Sequence, residues 1–206
     1  MPLDLDELLK PSHCALITQE CQTGVIGNQS ALHALAEAAQ DGMIQAVAEL
    51  VVVGRAAGVS IIHCIAERRL DGRGANSNAR LFQYMAKSKN SLHPGSPAAE
   101  IVPEIRVAES DLVLPRLHGL SPFQGTELDS ILRNCGVRTV VGVGVSVNVA
   151  ITNLTFDAVN AAYQVVIPRD AVAGFPAEYV EAVFENTLRA VATLVTAAEL
   201  LAVWGG

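Results

Sequence analysis

Residues 138–145, RTVVGVGV, are the stretch that most restricts what this chain can become. A strand made of them is apolar on both faces, so both faces must be covered. Such runs recur at CALITQ (14–19), VSIIHCIA (59–66), DLVLPRL (111–117) and YQVVIP (163–168), and TLVTAAELL supplies a sixth short strand before a terminal helix. Between them lie helix-period segments. In the stretch from Gly42 to Gly58, Ile44, Val47, Ala48 and Val51 fall on one face and Gly58 is the stop. A short helix is expected near 78–88. TELDSILRNCGV (126–137) reads as a helix capped by Thr126 and ended at Gly136. Residues 148–162 place Ile151, Leu154, Ala158 and Ala162 inward, and Pro176 opens a helix with Val180, Val183, Phe184, Leu188 and Val191 on one side. Apolar strands alternating with helices predict a mostly parallel, about six-stranded sheet in one α/β domain spanning 1–206.

A length of 206 residues suits one sizeable core, and 50% hydrophobic residues with 17% charged excludes a disordered chain. The net charge of −7 and the lack of any basic run beyond Arg68-Arg69 argue against nucleic-acid binding. No apolar run reaches the ~18 residues of a membrane span. The N-terminal MPLDLDELLK lacks the basic and apolar regions of a signal peptide, which makes the cytoplasm the expected compartment. The 4 cysteines, Cys14, Cys21, Cys64 and Cys135, have no metal-ligand spacing, and buried reduced thiols are the ordinary reading for them.

In parallel sheets, ligands bind outside the carboxyl ends of the strands. That rule selects Glu20-Cys21-Gln22, the segment from His63-Cys64 to Arg69, Arg116-Leu117-His118, and Ser146 to Ala150. Glu20 ends an apolar strand, where it is either an ordinary loop carboxylate or, beside Arg116, an acid or base. Arg116 is a surface arginine or a fork for a carboxylate. His118 transfers protons near neutral pH if it faces the site, and is otherwise a plain loop histidine. The Gly142–Gly144 pair begins a G-x-G-x-x-G fingerprint, but Val147 stands where the third glycine belongs, so a nucleotide cradle is not expected. The stretch ERRLDGRGANSNAR is too long and Gly/Asn-rich for an ordinary connection. With the loop SKNSLHPGSP that follows the short helix, it leaves 68–95 as a mobile or functional insertion.

Four blocks resemble the isochorismatase-like hydrolases. ALITQECQ is similar to that family's strand ending in D-M-Q, and RAAGVSIIHC to its second strand and preceding helix. LSPFQGTELDSILRNCGVRTVVGVGVSVNVAI resembles S-A-F-x-x-T-x-L…L-x-x-x-G-V…G-V-x-x-N-V-C-V. TFDAVNAAYQVVIPRDAVAG resembles T-x-x-D-A-x-x-x-G-Y-x-V-x-V-x-x-D-A. The resemblance implies a three-layer α/β/α domain, a homo-oligomer (dimer or tetramer), and an Asp, Lys and Cys in the site. Carried over residue by residue, the Asp position holds Glu20, the Lys position best matches Arg116, and the nucleophile position holds Ala150. Gln22, His118, Phe123, Ser146, Val147, Asn148 and Val149 fall at substrate or oxyanion positions. The resemblance also implies a cis peptide at Val145–Ser146. The metal-binding D-x-H…H of the family's nicotinamidases has no counterpart after IIHCIAERRLDG, so neither metal nor other cofactor is expected.

An alanine cannot attack a carbonyl, which removes the family's cysteine route. Three expectations follow for a protein acting on small molecules. One is a hydrolase using Glu20 as general acid/base on a small anionic ether or ester-like substrate, as in isochorismatases that cleave a vinyl ether without cysteine. A second is an inactive family member that binds a small ligand. The third is a hydrolase with another nucleophile: Cys21, Cys64 or a water activated by His118.

Overall fold

A computed structural model describes residues 4–88 and 91–206. Within the expected loop 88–97, Lys89 and Asn90 lie outside the described residues, as do positions 1–3 of the expected domain. Strands β1 (Cys14–Gln19) and β4 (Thr139–Val145) are buried along their whole lengths and run side by side in parallel. Strand β2 (Ser60–Ala66) covers the other flank of β1, and β3 (Leu112–Arg116) forms the edge beyond it. Past β4 lie β5 (Gln164–Pro168) and β7 (Thr193–Val195), giving the order β3-β2-β1-β4-β5-β7 with every pairing parallel. A seventh strand, β6 (Val172–Ala173), pairs with the end of β4. Two residues are too few to carry a periodic signal, hence the expectation of six.

The helices are α1 (Leu5–Leu8), α2 (His33–Gln40), α3 (Met43–Ala57), α4 (Arg80–Met85), α5 (Leu128–Asn134), α6 (Thr152–Asn160), α7 (Ala177–Asn186) and α8 (Ala197–Trp204). Alternation along each strand divides the core between the two sheet faces. Leu16 and Val141 join Val47, Leu50 and Val51 of α3 and Leu200 and Trp204 of α8 on one face. Ala15, Ile17, Ile62 and Val140 join Leu128 and Leu132 of α5, Leu154 and Ala158 of α6 and Phe184 of α7 on the other. Each large side chain buried in this way contributes about 1.5–3 kcal/mol. No helix among the described residues is long and apolar enough to cross a membrane.

Four details depart from the sequence reading. Helix α2 was not expected: its buried face is Ala36 and Ala39, too small to mark a period. Ala162 is exposed, because α6 ends at Asn160 and Ala162 turns the chain with φ 66°. Leu188 is buried from a short 3-10 turn after α7 has stopped at Asn186. Strand β3 is not covered on both faces: Leu112 and Val113 are 40% and 41% exposed on the edge.

Candidate active site

The chain runs from β1 outward to β2 and β3, then returns to place β4 on the opposite side of β1. The topological switch therefore lies between β1 and β4, where open α/β sheets form their ligand crevice. Glu20 leaves β1 on one side of it, and Ser146 leaves β4 on the other. Arg116 is the last residue of β3 and must reach across the end of β2, with Ala66 as its partner in register.

Glu20 adopts φ 53°, a left-handed conformation that side-chain-bearing residues rarely hold without a reason. Its amide donates to Cys64 O at 2.9 Å, which fixes the turn to β2. Its Oε1 accepts from Gln19 Nε2 at 3.2 Å and from Arg116 Nη2, and its Oε2 has no hydrogen bond among the described residues. The side chain of Arg116 is only 4% exposed, and its Nε and Nη1 are buried without a partner among the described residues. The site therefore holds a carboxylate with one oxygen anchored and one open, paired to a cation whose bonding capacity is not exhausted.

The turn after β4 completes the floor. The Val145–Ser146 peptide is cis. Residues Val147–Ile151 form a π-helical turn rather than the start of a plain α-helix, with Ile151 N and Val149 N both donating to Ser146 O at 3.0 and 3.1 Å. π-Turns often mark functional sites, and first-turn amides have no intrahelical acceptor. Ala150 is 5% exposed at this turn. Asn148 donates weakly to Phe175 O at 3.4 Å while its Oδ1 is buried without a partner among the described residues.

Glu20, Arg116, His118, Ser146, Asn148, Val149 and Ala150 border one cavity of about 480 Å³. His118 is exposed, so it belongs to the rim and not to the floor. Three expected positions do not reach this cavity. Gln22 is fully buried and saturated: Nε2 donates to Ala66 O and Ala99 O, both at 2.9 Å, and Oε1 accepts from Ala66 N at 2.8 Å. It ties loops together and has nothing left for a substrate. Phe123 packs on Tyr163 with ring centroids 6.1 Å apart, and Val147 is 0% exposed in the core.

Described residues of the 68–95 stretch, among them Ala75, Asn76, Phe82 and Met85, border the cavity of their own chain. Asn76 Oδ1 accepts from Gly119 N at 2.8 Å, and Tyr84 Oη donates to Ala31 O at 3.1 Å. Burial pushes the thiols of Cys21 and Cys64 up to about 12; Glu20 adds to the rise at Cys21, while at Cys64 the opposing charge of Arg116 outweighs the contribution of Glu20 but not that of burial. Burial of this kind disfavours the thiolate that a nucleophile requires. Cys21 instead lies 3.7 Å from Gln19 O as a weak donor. Among the described residues no group of three or more His, Cys, Asp or Glu side chains is placed to hold a metal ion.

Strand β3, which carries Arg116, is fastened to its neighbours by a buried polar chain. Asp111 accepts from Arg55 Nε and Nη2 of α3 at 2.9 and 2.6 Å and from Ala108 N at 2.8 Å. His63 Nε2 lies 3.3 Å from Asp111 Oδ2, and its Nδ1 lies 2.8 Å from Thr18 Oγ1. Burial lowers the pKa of His63 more than Asp111 raises it. Burial pushes Asp111 up, but Arg55, the Ala108 amide and His63 together outweigh it and leave the carboxyl lowered. A histidine lowered from 6.5 binds its proton more readily when unfolded, so stability falls as pH drops below that value. The contribution of Asp111 is lost only below 3.8, the value of the free side chain. Urea unfolding is thus expected to give lower stability at about pH 5 than at pH 7, with the difference largely removed in His63→Gln. An equal loss in the variant would assign the dependence to other groups.

Comparison with known proteins agrees with this architecture. The isochorismatase domain matches residues 14–199. Over 84 residues, 41% of this chain, the sequence is 34% identical to the uncharacterized isochorismatase family protein YwoC of Bacillus subtilis (strain 168); the match spans 44% of that relative, less than half its length. A cysteine hydrolase from Pseudomonas syringae pv. phaseolicola 1448A superposes with TM-score 0.84 at 22% identity, covering 100% of this chain and 95% of that one. An isochorismatase family protein from Desulfovibrio vulgaris subsp. vulgaris str. Hildenborough gives 0.79 at 26% identity, over 94% and 98% of the two chains. The N-carbamoylsarcosine amidase from Thermoplasma acidophilum gives 0.71 at 22%, over 90% and 96%. With a family match across nearly the whole sheet and the switch-point crevice, the chain belongs to the isochorismatase family.

Proposed function

We propose that this protein is a hydrolase of small anionic ether or ester-like substrates that works without a cysteine nucleophile. Glu20 is its general acid/base. The observation that carries the reading is the Glu20–Arg116 ion pair on the cavity floor, with Glu20 Oε2 open and Ala150 in the adjoining π-turn. Ala150 stands at the position of the family nucleophile, so attack falls to water. With an ester-like substrate, the Glu20 carboxylate takes a proton from the attacking water and returns it to the leaving oxygen. With a vinyl ether, protonated Glu20 delivers the proton to the vinyl carbon, and water adds to the resulting oxocarbenium carbon and returns a proton to Glu20. The hemiketal then collapses, breaking the C–O bond to release a carbonyl compound and an alcohol. Arg116 holds the anionic group of the substrate through the nitrogens left without partners. Amides at the start of the 147–151 turn face negative charge that develops on oxygen. We take the protein to be a homo-oligomer, since the apolar edge at Leu112 and Val113 is one that a second copy would cover.

A panel of enol ethers, esters and amides, run before and after alkylation with iodoacetamide, tests the reading. Activity on ethers or esters that alkylation leaves intact is expected, because Cys21 and Cys64 are buried thiols. Loss of that activity on alkylation would point to a thiol nucleophile instead. No turnover across the panel, together with ligand-induced thermal shifts, would leave an inactive binding protein.

A further inference from the structure

Helix α4 raises a question of its own. Its sequence RLFQYM carries four large apolar or aromatic side chains, yet none of its six residues is buried. Leu81 is 38% exposed, and Leu81, Phe82 and Met85 belong to neither sheet-face core. All three border the cavity that holds Glu20 and Arg116. So do Leu32 and Leu35 at the start of α2, and Phe175 from the loop before α7. The Tyr84–Ala31 hydrogen bond holds α4 beside the beginning of α2. Apolar residues thus border the cavity from three segments, α2, α4 and the loop before α7, and those of α4 pack into neither sheet-face core.

The charged groups are placed differently. Glu67 follows β2 directly, and its amide donates to Arg116 O at 2.9 Å, so Glu67 and Arg68 belong with Glu20 and Arg116 at the strand ends. His33 is the titratable side chain on the α2 side. The ion pair of Glu20 and Arg116 lies at the strand ends, while α4 contributes Leu81, Phe82 and Met85 to the lining.

We infer that the ligand is amphipathic: an anionic head at Arg116 and a hydrocarbon or aryl tail seated between α2 and α4. The inference rests on the proposed site for the position of the head, and it names a substrate class that the head alone does not. Leu81 is exposed and Phe82 and Met85 are only partly buried, and a tail laid against them removes the remaining apolar surface of both partners from water. A cavity of about 480 Å³ has room for such a tail beside the head group. Part of the tail wall is α4, so its side chains select the substrate while the sheet ends carry the chemistry.

The test is calorimetric binding of butanoate, hexanoate, octanoate and decanoate, each below its micelle concentration, to the full chain. Kd is expected to fall about four-fold per added methylene until the cavity is filled, as follows from about 0.8 kcal/mol per buried CH₂. In Phe82→Ala/Met85→Ala the gain per methylene shrinks to less than half of that, while butanoate binding stays within about two-fold. Phe82 and Met85 are only partly buried and belong to neither sheet-face core, so the variant is expected to fold; Leu81→Ser provides a second reading on the same wall. A Kd independent of chain length, no binding of any member, or an undiminished slope in both variants would overturn the inference. A steep slope in a protein that hydrolyses nothing would keep the inference and remove the proposed activity. Turnover of short polar esters with no slope would do the reverse.

Discussion

Glu20→Gln is expected to lower kcat and kcat/KM together, by about 10²–10⁴-fold, the usual worth of a positioned general acid/base. The substitution is close to isosteric. The Gln carbonyl still accepts from Arg116 Nη2 and from Gln19 Nε2, so the side chain keeps its place and only proton transfer is lost. Substrate binding through Arg116 survives, and KM changes little. Some stability is also lost, because Arg116 is 4% exposed and would face a neutral partner. That cost is about 1–3 kcal/mol, which lowers Tm by about 2–4 °C per kcal/mol in a chain of this size. Circular dichroism at the assay temperature separates this cost from catalysis. Glu20→Asp keeps the proton carrier and retracts it by one methylene, and a misplacement of about 1 Å is worth about 10²-fold. If Glu20→Gln retained more than about a third of wild-type kcat while folded, Glu20 would not be the proton carrier.

Much of the scaffold was readable because a strand buried on both faces has to be an apolar run. CALITQ, SIIHCIA and TVVGVGV say so directly. Once the strands are known, the strand-end rule points to Glu20, Arg116 and the 146–150 turn, all of which except Val147 border the cavity, since the rule depends on topology and not on side-chain detail. What stayed hidden depends on which way a side chain turns. Gln22 lies two residues from Glu20, but its amide is consumed by the backbone of Ala66 and Ala99. Phe123 and Val147 sit beside site residues in sequence and point into the core. The φ of Glu20 and the π-turn at 147–151 leave no compositional trace, because both are imposed by neighbouring strands. The apolar wall on α4 was invisible for another reason. LFQYM in a loop-borne helix looks like ordinary packing until the core is seen not to include it.

Gly144→Ala is expected to be the most damaging single-methyl change in the sheet, at about 2–5 kcal/mol. Gly144 has φ 102°, and a Cβ there would lie 2.4 Å from Gln19 O, 2.9 Å from Cys21 Sγ and 3.0 Å from Gln19 N. The unfavourable dihedral contributes about 1–2 kcal/mol and the overpacking about 1–3 kcal/mol. Neither can relax cheaply, because the nearest atoms are backbone of β1, paired in register with Gly144 itself. Thermal unfolding should fall on the order of 10 °C. Gly142→Ala is the contrasting control. Its Cβ would meet Ile167 Cδ1 at 3.0 Å and Leu154 Cδ2 at 3.1 Å, the far ends of flexible side chains, without a left-handed φ. About 1 kcal/mol is expected there. Equal losses in the two variants would mean that general crowding, and not the approach of β4 to β1, sets the requirement. The difference between them gives the G-x-G pair, which does not complete a dinucleotide fingerprint, a structural reason. Gly142 makes room for packing, while Gly144 lets the ends of β1 and β4 close in, so that Glu20 and the 146–150 turn stand on either side of the same crevice. Any side chain at Gly144 pushes against the backbone next to Glu20, so the folded fraction of Gly144→Ala is expected to lose activity along with stability.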